Sequence, residues 1–442
     1  MTTAQEKIAL MSVRRHAAFK KLEQKLAGLK YMNAYLVEQV SANTPFLQTS
    51  QCEDPEIRRI TQLGFAELRD MLQRGELKAV DVVRAYQVKA LEVNRELNCI
   101  TEPVLEAEAI AIALDKMENK KGLFHGIPIS VKENLKMEGY SSTIGFAHQL
   151  DFTAKTDSAV VQVLLEEGAI PLVRTNVAQT LMTIECSNPV YGETLNPHDL
   201  SRSSGGSSGG EGALIGAGGS ILGIGNDSGG CLRIPASFCG VYALKPTSKR
   251  ISLQGTLGLA NGQDIVNPTN GPMSRDLDGL VQFSKALFAE RAFSKDNYVA
   301  PISFRNEIYE KRKPLTIGYC YNDGHMSIAK SNVRAVHVTK NLLEAAGHKL
   351  VPFSPANVGR AMAYWSDGSF GDRCEDLISK LEKDIVDDVM LKAYNCMKDH
   401  HVCEDDGKRP EVDNCNLEEG IRYCAKTSNT EQISSMPGKR QH

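Results

Sequence analysis

The chain has 442 residues, of which 42% are hydrophobic and 24% charged, an ordinary composition for a soluble globular protein. Lys and Arg number 51 against 54 Asp and Glu, so the strongly basic character of a nucleic-acid-binding protein is absent and no such partner is predicted. No apolar run approaches the length of a membrane-spanning helix, and the charged N-terminus lacks the apolar core of a signal peptide. The 11 cysteines include no CxxC pair, which predicts reduced thiols in a cytoplasmic protein.

Residues 1–56 are predicted to form an N-terminal helix and a linker. Over 6–40, apolar residues recur at helical spacing with lysines between them. The apolar positions are Leu22, Leu26, Leu29, Leu36 and Val40. This stripe favours packing on the body of the protein or on a second copy in a homodimer, and peripheral contact with an intracellular membrane is the alternative.

Residues 57–400 are predicted to fold as one α/β domain. Helices are predicted at 60–98 with a break at Gly75, at 105–119, at 158–168 and at 333–346. Strands are predicted at 127–131, 170–174, 315–321 and 348–353. The alternation of strands and helices predicts a mixed, mainly parallel central sheet covered by helices on both faces.

The last segment, 401–442, is predicted to be a disordered tail. It holds few large apolar residues, so its burial cannot offset the entropy of ordering it. Histidines and cysteines cluster here without the ligand spacing of a structural zinc site, so no metal is predicted. These residues are His400, His401, Cys403, Cys415 and Cys424.

A glycine-rich segment at 201–230 is the most informative part of the chain. It contains twelve of the 36 glycines, which indicates backbone in close approach to other atoms or at positive φ. Interleaved apolar residues argue against a flexible linker. A nucleotide-binding loop is disfavoured because no strand directly precedes Gly210 and no GK[ST] follows. The run at 228–231 favours an oxyanion-binding loop, in which consecutive backbone amides surround a nucleophile.

The stretch GGSSGGEGALIGAGGSILGIGNDSGGCLRIPASFCGVYALKPT, beginning at Gly205, resembles the signature of the amidase signature family, and within it the fatty acid amide hydrolases. GIPISVKEN at 126–134, TNVAQTLMTIECSNPVYGETLNP at 175–197 and GPMSRD at 271–276 support the resemblance, which covers residues 60–395. It implies the amidase-signature fold, hydrolysis of fatty acid amides as small-molecule substrates, and no metal or organic cofactor.

The resemblance implies a catalytic triad of Lys132, a cis-peptide Ser207 and the residue at position 231. Strand alternation places Lys132 on one face of its strand together with Ser130. A lysine that acts as a base must be neutral, and desolvation lowers a lysine pKa. Ser207 between the lysine and the nucleophile would pass a proton in either direction.

The resemblance also implies roles for residues around the triad. The backbone amides of 228–231 would form the oxyanion hole and bind the substrate carbonyl. The residues concerned are Ser228, Gly229, Gly230 and Cys231. Ser208, Asp227 and Arg233 match positions that support the loop, and Leu181 and Phe370 match positions that line the substrate channel.

Two features depart from the family pattern. Position 231 is Cys where the family has Ser, and a thiolate leaves a tetrahedral adduct more readily than an unprotonated amine. Amide adducts are therefore expected to revert, whereas ester adducts go forward. The sequence also turns polar near residue 400, so the amidase domain is expected to be C-terminally incomplete.

These departures leave open a catalytically silent lipid-binding or partner-binding homologue. An amidotransferase subunit acting on charged tRNA would share the fold and the triad. It is disfavoured by GGEGALIG, which resembles the lipid branch, and by the lack of a basic patch.

Overall fold

The computed structural model describes residues 2–27, 54–258, 265–311, 313–325, 327–372, 374–392 and 394. Contacts divide the chain into two compact units. Unit 1 comprises Met1–Asn261, Asn267–Ser303 and Glu375–His442, and unit 2 comprises Gly262–Val266 and Phe304–Cys374. The tail predicted at 401–442 and residues 28–53, which include most of the linker and the end of the first predicted helix, lie outside the described residues.

Helices form most of unit 1. They are α1 Ala4–Ala27, α2 Pro55–Gln62, α3 Phe65–Arg74, α4 Ala79–Leu97, α5 Ala107–Asp115, α6 Ala159–Glu166, α7 Gly209–Gly216, α8 Arg233–Cys239, α9 Leu277–Leu287, α10 Glu290–Phe293 and, after the helices of unit 2, α14 Glu375–Leu381. Gly75 ends α3 at φ 72°, a left-handed conformation that favours glycine. The helical pattern predicted over 60–98 is therefore realised as separate helices, with the predicted break at Gly75.

A mixed six-stranded sheet lies at the centre of unit 1. Its strands are β1 Ile100–Pro103, β2 Pro128–Lys132, β3 Ile170–Thr175, β6 Leu222–Asp227, β7 Tyr242–Ala243 and β8 Thr269–Ser274. Their order is β1-β3-β2-β6-β8-β7. The central pairs β3–β2 and β2–β6 are parallel, and the flanking pairs are antiparallel. The predicted mixed α/β fold is confirmed. A separate antiparallel pair consists of β4 Leu195–Asn196 and β5 Asp199–Ser203.

The strand β2 places its two sets of side chains in different surroundings. Ile129 and Val131 are fully buried in the main hydrophobic cluster, which also contains residues of α4, α6 and α9. Because side chains alternate along a strand, Ser130 and Lys132 project from the other face. There Lys132 meets Ser207, just before α7, and Ser130 meets Glu211 in the first turn of that helix. The apolar face of β2 therefore anchors the strand, and its polar face carries the functional residues.

The N-terminal helix α1 packs on the body of unit 1. Leu22 and Leu26 join the main cluster, and Met11 packs with Ala147, Val190 and Tyr191. The predicted apolar stripe therefore contacts the same chain within its described part. None of the helices in the described ranges combines the length and the apolar character that a bilayer crossing requires.

Unit 2 contains the later strand–helix–strand pattern. Its strands are β9 Thr316–Tyr319 and β10 Lys349–Pro352, and its helices are α11 Asn306–Tyr309, α12 Lys330–Ala345 and α13 Val358–Ser369. The two strands pair in parallel, with Lys349 opposite Thr316. This agrees with the predicted strands and helix, since a parallel pair requires a crossover such as α12 between its strands.

Candidate active site

Lys132 lies at the end of β2 and is completely buried. Its Nζ is 2.8 Å from Ser207 Oγ and 2.5 Å from Asn226 Oδ1 on the neighbouring strand β6. Burial lowers the pKa of Lys132 because it penalises the ammonium form. Nearby acidic groups, chiefly the thiol of Cys231, act in the opposite direction.

Ser207 belongs to the glycine-rich segment and contacts Lys132. The Gly206–Ser207 peptide bond is cis, and the Ser207 side chain is completely buried. The backbone carbonyl of Ser207 accepts a hydrogen bond from the Ala178 amide at 3.3 Å. A Cβ at position 206 would lie 2.7 Å from the carbonyl oxygen of Glu185, so only glycine fits directly before this serine.

Cys231 lies in the loop that follows β6 and is partly exposed. Its thiol donates a weak hydrogen bond to the Leu181 carbonyl oxygen at 3.7 Å. Leu181 and Thr180 both have positive φ, in a tight turn that brings the Leu181 backbone to the thiol. The Ser208 amide donates to the Cys231 carbonyl at 3.3 Å, which links the two loops.

Asp227 and Arg233 fasten the loop that carries Cys231. The Asp227 carboxylate accepts from the Arg233 guanidinium at 2.9 and 3.0 Å, and from the Leu232 amide at 3.1 Å. It also accepts from the Gly230 amide at 2.7 Å. Burial acts to raise the pKa of Asp227, yet these hydrogen bonds hold it below its ordinary value. The Gly230 amide is therefore directed at Asp227, whereas Ser228 is half-buried and Gly229 exposed on the same loop.

The structure thus brings together most of the residues singled out in the sequence. Contacts join Lys132 to Ser207, Ser208 to Cys231, and Cys231 to Leu181. Phe370 belongs to unit 2, where its ring centroid lies 6.3 Å from that of Trp365.

Sequence reasoning missed two polar residues at this site. Asn226 accepts a hydrogen bond from Lys132, and Glu211 lies completely buried near the same lysine. Burial raises the pKa of Glu211 from 4.5 to about 7. The available signal was a single charged residue inside the otherwise apolar and glycine-rich run GGEGALIG.

The described ranges contain no group of three or more His, Cys, Asp or Glu side chains placed to hold a metal ion. The histidines and cysteines considered for zinc, at 400–424, lie outside those ranges.

Comparison with known proteins identifies the family. The family model described as Amidase matches residues 81–430, which is most of the chain. This chain belongs to the amidase family. The resemblance that the glycine-rich segment indicated is therefore confirmed.

Several relatives carry descriptive names. The chain is 42% identical over 308 residues to a vitamin D3 hydroxylase-associated protein from Gallus gallus, covering 70% of this chain and 66% of the relative. It is 43% identical over 300 residues to fatty-acid amide hydrolase 1 from Sus scrofa, covering 68% and 51% respectively. The chain therefore spans between half and two thirds of the length of these curated relatives. A solved structure of fatty acid amide hydrolase superposes with a TM-score of 0.75 at 27% identity, over 88% of this chain and 71% of that one.

Proposed function

We propose that this amidase-family chain is a hydrolase that cleaves the carbon–nitrogen bond of fatty acid amides and also accepts lipid esters. The observation that carries the proposal is the buried Lys132 Nζ, 2.8 Å from Ser207 Oγ, beside the loop that bears Cys231. Similarity to relatives named fatty acid amide hydrolase supports a small lipid amide as the substrate. A cytoplasmic location, a homodimer and peripheral membrane contact stay predictions.

The proposed reaction begins with Lys132 as a free amine. Asn226 Oδ1 is only an acceptor, so it engages an Nζ hydrogen and leaves the nitrogen lone pair for the Ser207 hydroxyl. Lys132 takes the Ser207 proton while Ser207 takes the proton of Cys231. The Cys231 sulfur then bonds to the substrate carbonyl carbon, and the carbonyl oxygen becomes an oxyanion.

Backbone amides of the loop would stabilise that oxyanion. Because the Gly230 amide donates to Asp227, the amides of Ser228, Gly229 and Cys231 would bind the oxyanion. The paired Asp227 and Arg233 hold this backbone in place before substrate arrives.

Collapse of the adduct decides which substrates turn over. Lys132 returns its proton through Ser207 to the leaving nitrogen or oxygen, the carbon–nitrogen or carbon–oxygen bond breaks, and an acyl thioester remains on Cys231. Water then attacks the thioester and gives a proton to the Ser207–Lys132 pair. The carbon–sulfur bond breaks, the pair returns that proton to the departing sulfur, and the fatty acid and the Cys231 thiol are released. An amine leaves only if it is protonated in time, because the thiolate is the better leaving group.

The substitution Cys231→Ser tests this partition. Serine restores the family nucleophile and is a poorer leaving group, so the ratio of amide to ester kcat/KM should rise about 10-fold, or about 1.4 kcal/mol of barrier. The measurement uses a matched long-chain amide and methyl ester. Cys320→Ser, which changes a partly buried thiol of unit 2, is the control. An unchanged ratio in an active Cys231→Ser variant would contradict the proposed role of the thiol.

A catalytically silent lipid- or partner-binding protein is the second candidate. It is favoured by the cysteine at the nucleophile position and by its hydrogen bond to the Leu181 carbonyl rather than to Ser207. An acylating active-site probe separates the two candidates. Labelling of Cys231 that is lost in Ser207→Ala and Lys132→Ala supports the hydrolase, and equal labelling in all three proteins supports the silent homologue.

A further inference from the structure

Glu211 is a completely buried carboxyl close to Lys132 that the proposed reaction does not use. Its Oε1 lies 2.7 Å from Thr175 Oγ1 on β3. Its Oε2 lies 2.5 Å from Ser130 Oγ on β2. Ser130 and Lys132 are two residues apart on the same face of β2, so the carboxyl lies close to the base.

The hydroxyls around Glu211 form a chain with a limited number of hydrogens. Ser130 Oγ also lies 3.0 Å from Ser220 Oγ, and Ser220 Oγ lies 3.0 Å from the Leu222 carbonyl oxygen. These distances define three successive hydrogen bonds, but the two serine hydroxyls supply only two hydrogens. Because the Leu222 carbonyl can only accept, Ser220 donates to it, and Ser130 donates to Ser220.

A hydrogen on Glu211 completes all three bonds, and the Ser130–Glu211 contact then runs from the carboxyl to the serine. Glu211 Oε2 then donates to Ser130, while its Oε1 accepts the hydrogen of Thr175. A carboxylate at this position would leave one of the three contacts without a hydrogen. The arrangement of donors and acceptors therefore matches a protonated glutamic acid.

The neighbouring strand is shaped around this contact. Gly223 on β6 lies opposite Ser130 in the sheet. A Cβ at Gly223 would lie 1.9 Å from Glu211 Oε2 and 2.7 Å from Ser130 Oγ. The absence of a side chain at position 223 makes room for the carboxyl of Glu211.

A small set of titratable groups surrounds Glu211 and Lys132 in the described part of the chain. Glu211 interacts electrostatically with Lys132 and with the buried thiol of Cys99. Lys132 in turn faces Cys231, Cys186 and Asp227 in addition to Glu211. Of these carboxyls, Asp227 is already paired with Arg233, so Glu211 is the one whose charge is not matched by an arginine.

We propose that Glu211 is a positioning residue whose neutral acid form keeps a negative charge from forming beside Lys132. The inference rests on the proposed function, because a charged Glu211 would favour the ammonium form of Lys132 and remove the base. Glu211 does not touch the substrate. It acts through the protonation state of Lys132.

Infrared spectroscopy of the full chain tests the proton directly and without any activity. Exposed carboxyls are ionised at about pH 6, so a carbonyl stretch of a protonated carboxylic acid there reports a buried acid. We expect this band in the wild-type protein, its loss in Glu211→Gln, and its retention in Glu108→Gln, a half-buried glutamate paired with Arg84. The proposal is overturned if the wild-type protein shows no such band, or if the band persists unchanged in Glu211→Gln.

A serine variant tests the coupling to Lys132. In Ser220→Ala, Ser130 is free to donate to Glu211, which stabilises the carboxylate, so the acid band should titrate at lower pH. The midpoint of the acidic limb in the pH profile of kcat/KM should move to higher pH, by at least about a 3-fold change in proton concentration. The cause is the new negative charge on Glu211, which favours the protonated form of Lys132. Ser284→Ala, at a buried serine bonded to the Leu280 carbonyl, is the control and should change neither curve.

The possible failures are distinguishable. If the acid band behaves as expected but no variant hydrolyses amide or ester, the proposed function is wrong and the proton assignment stands. If the band shifts in Ser220→Ala while the limb of an active enzyme does not move, the coupling to Lys132 is refuted.

Discussion

Replacing Glu211 by Gln should change how the stability of the protein depends on pH. Glutamine keeps the shape of the acid, accepts from Thr175 and donates to Ser130, but it cannot ionise. Burial raises the pKa of Glu211 from 4.5 to about 7. The folded protein therefore retains a proton that the unfolded chain releases between these values.

The sign follows from proton linkage. For an acid with a raised folded pKa, its favourable contribution is complete below the unfolded pKa of 4.5 and is lost as pH rises through about 7. Each pKa unit corresponds to about 1.4 kcal/mol, so the loss amounts to about 3 kcal/mol. The wild-type protein should thus lose about 3 kcal/mol relative to Glu211→Gln between about pH 4 and about pH 8. The contributions of most other titrating groups to the free energy of unfolding are the same in both proteins and cancel in this difference.

Urea unfolding at a series of pH values measures the effect. Helical circular dichroism is the suitable signal, because the single tryptophan, Trp365, lies in unit 2 whereas Glu211 lies in unit 1. The difference in free energy of unfolding should be nearly constant below about pH 4 and grow in favour of Glu211→Gln up to about pH 8. A difference that is flat with pH, or that grows in favour of the wild type, would refute the reasoning.

Three further changes test the site. Lys132→Ala should lower kcat/KM for amide and ester by at least about 100-fold. It should also abolish the acidic limb of the pH–rate profile, which arises from protonation of the lysine. The control is Lys136→Ala, at an exposed lysine. Asp227→Asn should reduce kcat more than it raises KM, because the loop loses the carboxylate that orients it. Steady-state kinetics measures both constants, and an effect on KM alone would argue against the role of Asp227 in holding the loop. Gly223→Ala should cost about 1–3 kcal/mol in urea unfolding because its Cβ meets Glu211, and a neutral effect would show that the carboxyl is not packed as described.

The sequence alone determined much of the framework. Short apolar runs identified β2 and β3, the glycine at 75 identified a helix end, and the signature residues identified the family. These features depend on local pattern or on a run of residues that is specific by itself. The same run indicated Ser207 and Cys231 as residues to examine, and the stretch GIPISVKEN at 126–134 indicated Lys132. Sequence analysis did not identify β6 as a strand, because the glycines of LGIGND do not follow a strand propensity.

Only the tertiary structure decided how the polar residues share hydrogens. Lys132 meets Asn226 across 94 residues of sequence, and Ser130 meets Glu211 across 81. No local pattern encodes such contacts, since they arise when the parallel strands and the first turn of α7 are packed together. The glycines of β6 and the direction of the Gly230 amide likewise make sense only beside their distant neighbours. The charge on a buried lysine or glutamate depends on burial and on these partners, and both are properties of the folded chain.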